Sequence, residues 1–242
     1  MCWGVAATAT MLGLGTAAAV LTLRRGEPPA VPLTLAYFAL MEGLQLAGYA
    51  VVGQCGEPVN RAVTLLAYLH IALQPLVINA FAMELVPGER KVAARRWVYA
   101  LCGLASLFML VQLVPLERAG VCSIGSPLCG AELCTIWGNW HIGWSVPYNG
   151  LTVPLEELVG PGGAFPTYML AVFLLPLAYG AWRFVLFHIA AGPLLASTLT
   201  DNPNEMPAIW CLFSVGILLI ALSPAIRSRF GQAGSWARPA AG

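Results

Sequence analysis

Hydrophobic residues along this chain fall into long unbroken runs, not into the alternation of a half-buried strand or the stripe of a soluble amphipathic helix. Seven runs stand out, at about 4–23, 31–53, 62–85, 97–116, 166–181, 183–200 and 208–225. A helix needs about 20 apolar residues to cross a roughly 30 Å hydrocarbon core. Between the fourth and fifth runs, the stretch 117–163 is rich in Gly, Pro, Cys and Trp and holds no such run. The pattern predicts an all-α, polytopic integral membrane protein with seven transmembrane helices. An outer Cys/Trp-rich loop joins helices four and five, 1–230 forms one transmembrane domain, and 231–242 is a flexible C-terminal tail. Pro176 and Pro193 fall inside spans, where neighbouring helices can satisfy the freed carbonyls.

Within the long loop, two short β-prone arms flank Gly138-Asn139. They predict a hairpin on a two-residue turn, with Gly138 at positive φ, lying outside over the bundle. A re-entrant segment is the competing reading.

Composition agrees with the pattern. The chain is 59% hydrophobic and 10% charged, against roughly 25% charged in soluble domains. A net charge of +1, with no basic patch interleaved with aromatics, gives no footprint for nucleic acid. Charge is instead sorted by face. Ten of twelve Lys and Arg, namely Arg24, Arg25, Arg90, Lys91, Arg95, Arg96, Arg183, Arg227, Arg229 and Arg238, share one set of loops; Arg61 and Arg118 lie on the other. Basic residues collect on the cytoplasmic side. The chain is therefore expected in a bacterial cytoplasmic (inner) membrane, N-terminus periplasmic and C-terminus cytoplasmic. The first run has its charges after it, unlike a cleaved signal.

Cys2, Cys55, Cys122, Cys129 and Cys134 fall on the outer side, where disulfides are permitted. The expected pairing is Cys122 with Cys129, and Cys134 with Cys55 or Cys2. A metal site is the alternative, although these cysteines and His141 lack the close C-x2-C pairs of zinc motifs. Cys102 reads as a buried small hydrophobe, and Cys211 falls near the outer end of the seventh run.

Ionisable residues inside a span are costly enough to be functional candidates. At 1.5 Å per residue, Glu42 lies roughly 16 Å from the inner end of its helix and His70 roughly 14 Å from the outer end of the next. Gln45 and Tyr49 share the face of Glu42; Gln74 lies one turn below His70, with Asn79 further inward. Glu42, Gln45, Tyr49, His70 and Gln74 form the candidate ligand-binding set. Such a set relays protons, holds a metal or binds a polar group; the plainer reading is hydrogen-bonded glue between helices. With His141, His70 and His188 at three depths, no metal site is assigned and the cofactor stays open; a bis-histidine haem between His70 and His188 is one alternative. Ser197, Thr198, Asp201, Asn202, Asn204 and Glu205 read as turn chemistry or the lining of an outer vestibule. Trp137, Trp140 and Trp144 read as interfacial anchors or a lid.

Met1-Cys2-Trp3, Met41-Glu42-x-x-Gln45, His70-Ile71-x-x-Gln74-Pro75, Trp140-His141-Ile142 and Asn202-Pro203-Asn204-Glu205 together resemble an uncharacterised family of predicted seven-helix membrane proteins. That resemblance implies no activity. The helix count is also similar to that of the alkaline ceramidase and progestin-receptor-like hydrolases, which hold zinc with three intramembrane histidines. This chain departs from them, with no histidine in its seventh run. The expected function is binding of a small ligand, lipid head group, quinone or ion in the mid-membrane site, reached from the periplasm. The alternatives are a metal-dependent hydrolase with His70 or Glu42 as general base, a haem protein, or an accessory subunit of a membrane complex. The expected partners are the lipid bilayer, a small-molecule or lipid ligand and a membrane protein.

Overall fold

Four long helices, each folding back beside the last, carry the first half of the chain: α1 (Val5–Arg24), α2 (Ala30–Val51), α3 (Pro58–Met83) and α4 (Gly88–Val111). The structure, a computed structural model, describes residues 4–160, 163–211 and 213–231. Cys2 and the 232–242 tail therefore lie outside the described residues. α4 starts well before the expected Trp97, so the basic cluster 90–96 rides on its first turns and not on a loop. The extended Pro87 ends the preceding turn and Glu89 sits in the first turn, where the helix dipole favours an acid.

The second half is built differently. After the outer segment and a short helix, α5 (Val153–Val159), come α6 (Pro166–Ala178), α7 (Trp182–Leu199), α8 (Met206–Trp210), α9 (Phe213–Leu222) and α10 (Pro224–Phe230). A π turn interrupts α6 at Leu170–Leu174 and α7 at Ala190–Leu194. Pro193 lies inside the second, and Pro176 follows the first within two residues. Proline offers no N–H to the carbonyl four residues back and crowds it; a widened turn accommodates the mismatch.

α1–α4 and α7 are each long and apolar enough to cross a membrane, and α8 through α10 would make a sixth crossing as a bent pair, α10 turning by 107°. The seven expected runs thus give five to six helices of spanning length. The difference lies in α6, which covers only about 20 Å: the chain enters it at Pro166 and leaves through Gly180 at φ +95°. α6 packs on α4 and α3, α7 lies against α8, and α9 returns to α1 and α2. Buried polar groups stitch the interior: the Tyr68 hydroxyl donates to the Met109 carbonyl at 2.9 Å, and Asn79 donates to the Pro75 and Ala171 carbonyls at 2.9 Å while accepting from the Tyr179 hydroxyl at 3.0 Å. Asn79 is therefore glue between α3 and α6.

The outer segment caps one end. Strands β1 (Cys134–Trp137) and β2 (Ile142–Ser145) pair antiparallel, with Trp137 opposite Ile142. The connection is thus the four residues 138–141, not the expected two-residue turn, and Gly138 is not at positive φ. The hairpin lies over the ends of α2 and α3. Asn60 donates to the Val51 and Thr135 carbonyls at 2.6 and 3.2 Å and accepts from the Thr135 N–H at 2.9 Å, and the Thr64 and Thr135 hydroxyls meet at 2.8 Å. Two cysteine pairs are at disulfide distance, Cys55 with Cys134 and Cys122 with Cys129.

Candidate functional site

The turn of the hairpin is held by one side chain. Glu205, fully buried, accepts from the backbone N–H groups of Asn139 (2.8 Å), Trp140 (2.6 Å) and His141, and from the Thr200 hydroxyl (2.8 Å). A carboxylate bound by successive amides needs no cation beside it. Residue 138 is glycine because a Cβ there would lie 2.6 Å from Glu205 Cδ. Next to it, Asn204 receives the Trp144 N–H at 3.0 Å and donates its side-chain amide to the Cys129 carbonyl at 3.2 Å. Asn204 and Glu205 are structural clamps for the cap. His141 is buried under the same turn, its ring against Tyr49 at 5.3 Å and its Nδ1 3.2 Å from the Ile142 carbonyl. Burial pushes its pKa below the ordinary value, more strongly than the Ile142 carbonyl and the Glu205 carboxylate raise it.

Below the cap, a cavity of about 610 Å³ opens between α3, α6, α7 and α8. Its rim carries Pro127 and Leu128 of the cap with Ser197 and Asp201 at the end of α7; its walls include Ile71, Ile78 and Met109. Polar groups are few and sit deep: Gln74, Tyr168, His188, Trp210 and Cys211. They are largely paired with one another. The Tyr168 hydroxyl donates to Gln74 Oε1 at 2.6 Å, and the Trp210 indole N–H donates to His188 Nε2 at 3.1 Å. That bond fixes His188 as the tautomer protonated on Nδ1, with its ring stacked on Phe213 at 4.0 Å and close to Phe173 at 4.8 Å. Trp210 approaches so closely that a Cβ at Gly192 would overlap its indole. The π turn of α7 lines this space with Ile189, Pro193 and Leu194. Irregular backbone in a membrane segment is tolerated where it borders a cavity.

The expected mid-membrane set is only partly assembled here. Gln74 lines the cavity. Glu42 and Gln45 lie behind its wall, in the electrostatic neighbourhood of Cys211, with Glu42 Oε2 and Gln45 Nε2 buried and without a hydrogen-bond partner among the described residues. His70 is turned toward Tyr37: its Nε2 meets the Tyr37 carbonyl at 2.8 Å, the Tyr37 hydroxyl donates to the His70 carbonyl, and the rings stack at 3.8 Å. No ion pair within 4.0 Å joins Glu42 to His70. Tyr49 sits under the hairpin, against His141 and Trp137, far from the cavity floor.

A Glu–His relay between α2 and α3 is thus not built. His70 Nε2 and His188 Nε2 each already have a partner, while both Nδ1 atoms are buried and without one among the described residues. Among the described residues no group of three His, Cys, Asp or Glu side chains is placed to hold a metal. Sequence reasoning weighed His188 only as a haem ligand and missed Trp210 and Tyr168 as cavity residues, and the available signal was the pair of prolines, Pro176 and Pro193, in neighbouring spans.

A family model described as a family of unknown function, DUF5765, matches residues 6–231. The chain belongs to this family. No curated protein and no solved structure matches it. Membership in DUF5765 brings no activity with it, so function has to be argued from the cavity.

Proposed function

We propose that this chain is a seven-helix protein of a bacterial cytoplasmic membrane that holds one amphiphilic small molecule, lipid or quinone-like, in the cavity between α3, α6, α7 and α8. The crossing by α6 is supported by where it ends: Gly180 lies against Arg90, at the basic end of α4, while its other end meets the cap. Arg183 donates to the Arg229 carbonyl at 3.0 Å at that same end. Basic residues mark the cytoplasmic side, so the N-terminus and the disulfide-bearing cap are periplasmic.

The observation that carries the binding reading is the cavity. Its 610 Å³ is the size of a site for a small organic ligand, and apolar walls with a few convergent polar groups are its usual chemistry. Among the described residues that line the cavity, the one Asp, Glu, Lys or Arg is Asp201, at the rim. An amphiphile finds apolar walls for its body and the Gln74–Tyr168 and His188–Trp210 pairs for one polar group. Entry is lateral. The outer half of α6 packs on α4 and that of α7 on α8, so the two helices diverge, and Ile189 and Leu194 are exposed along the gap. Organic extraction of the protein purified in nanodiscs, followed by mass spectrometry, should yield about one equivalent of a single lipophile. Leu194→Trp, which plugs the gap, should lose it while still purifying as a folded protein, with a melting temperature lowered only by the loss of the ligand's own stabilisation. Equal amounts of bound lipophile in both proteins would remove the cavity as the site.

A further inference from the structure

α5 is inside out. Glu156 is 6% exposed, while Leu158 is 80% and Val159 60% exposed. The buried carboxylate is satisfied within the cap: Thr152 donates to Oε1 at 2.9 Å and Ser126 donates to Oε2. Leu155 and Leu158, three residues apart, share one face of α5 and are exposed, as is Leu151 in the turn before it. Val121, bridged to Asn149 just before that turn, is 82% exposed. Of the two acids of α5, Glu157 is exposed and Glu156 is buried; a segment bathed in water would keep both acids outside and the leucines inside.

These leucines are not isolated. α4 presents Leu101, Leu104, Leu107, Val111 and, just past its end, Val114 on its uncovered side. That apolar surface continues through Leu116 to a shallow groove where Leu116 meets Leu151 and Pro154. The uncovered face of α4 thus reaches α5 across a groove that also carries Glu117 and Arg118.

We propose that α5 is seated in the outer leaflet of the bilayer, its leucines among the lipid chains near the head groups, and that it anchors the cavity rim at the lipid surface. The anchor acts through Glu156: its Ser126 partner is adjacent to Pro127 and Leu128, which line the rim. Apolar side chains on one helix face and a short reach into the head-group boundary are the physics of an interfacial helix.

The inference rests on the reading of the chain as membrane-spanning, and its test separates the two. In a background with Cys2, Cys102 and Cys211 replaced by serine, single spin labels are placed at Leu158→Cys and Val121→Cys on the cap, at Leu104→Cys on α4, and at Glu89→Cys at the basic end. Collision with oxygen, enriched in lipid, and with a water-soluble nickel chelate is then measured in vesicles. The expected result is an oxygen-to-nickel ratio at Leu158 and Val121 several-fold above that at Glu89 and in the direction of Leu104. Nickel-accessible labels at Leu158 and Val121 beside a lipid-exposed label at Leu104 would overturn the interfacial helix and leave the membrane reading standing. Labels at Leu158 and Val121 shielded from both reagents would overturn it in favour of a protein partner. A water-exposed label at Leu104 would sink the membrane reading itself.

Discussion

α1–α4 and α6–α10 occupy the same bundle with different backbones. The first group is four long helices in which only α3 has an interior proline; the second is cut by two π turns and the sharp turn at Ser223. The cavity has walls from both, yet its irregular features all come from the second group. The displaced turns of α6 and α7, each beside a proline, hold the gap open at the depth where His188 and Trp210 sit. The cap belongs to both groups, tied to the first through Cys55, Asn60 and Thr64 and to the second through Glu205 and Asn204.

Four measurements sharpen that contrast. The largest effect belongs to the tie with α2 and α3. Cys55→Ser releases a link spanning 79 residues and should cost about 4 kcal/mol in denaturant titration, since restriction of the unfolded chain grows with loop length; the short Cys122–Cys129 link should cost about half as much. A smaller loss for Cys55→Ser than for Cys122→Ser would mean that the cap does not depend on its seam with the regular helices.

Next comes the tie with α8. Glu205→Ala strands three amides and a hydroxyl in a buried turn, for a loss of about 3 kcal/mol. Limited proteolysis should then cut near 138–141 while the α2–α3 pair stays protected.

The direct test of regular against irregular is a pair of alanines. Gly192→Ala pushes Trp210 off His188 and should cost about 2 kcal/mol along with bound ligand. Gly103→Ala, with open space around it, should be neutral or stabilise α4 by up to about 1 kcal/mol. Equal effects at the two positions would erase the distinction.

The smallest effect is one of pH at the cap. His141 is held neutral in the fold by burial, whereas the unfolded chain takes up a proton near pH 6.5. The contribution is complete above about pH 6.5 and is lost as pH falls from there through the lowered folded value, at no more than about 1.4 kcal/mol per unit. His141→Gln should flatten that part of the stability profile; an unchanged slope would assign it elsewhere.

Much of this was legible in the sequence. Long apolar runs located α1–α4 and α7 because hydrocarbon demands unbroken hydrophobicity over a fixed length. Cysteine placement anticipated both observed pairs, with Cys55 the partner chosen over Cys2. Hairpin arms were visible, but the turn length was not, since the group that shapes it, Glu205, is 65 residues from Trp140 in the chain. Depth counting put Glu42 and His70 at one level and could not give their rotation about the helix axes. His70 faces Tyr37, and Glu42 lies toward Cys211. His188 reads from the sequence only as one of three histidines at three depths, because the π turn beside it leaves no apolar signature beyond the nearby prolines.

Glu205 has one more implication, for the order in which the molecule comes together. The ribosome delivers α2, α3 and both hairpin arms before residue 205, so the cap can dock on Asn60 and Thr64, with Cys55 and Cys134 side by side, while the last third of the chain is still emerging. The carboxylate then arrives as a latch that closes a finished lid. A nascent chain stopped before Thr200 would carry a lid that is attached on one side and swings freely on the other.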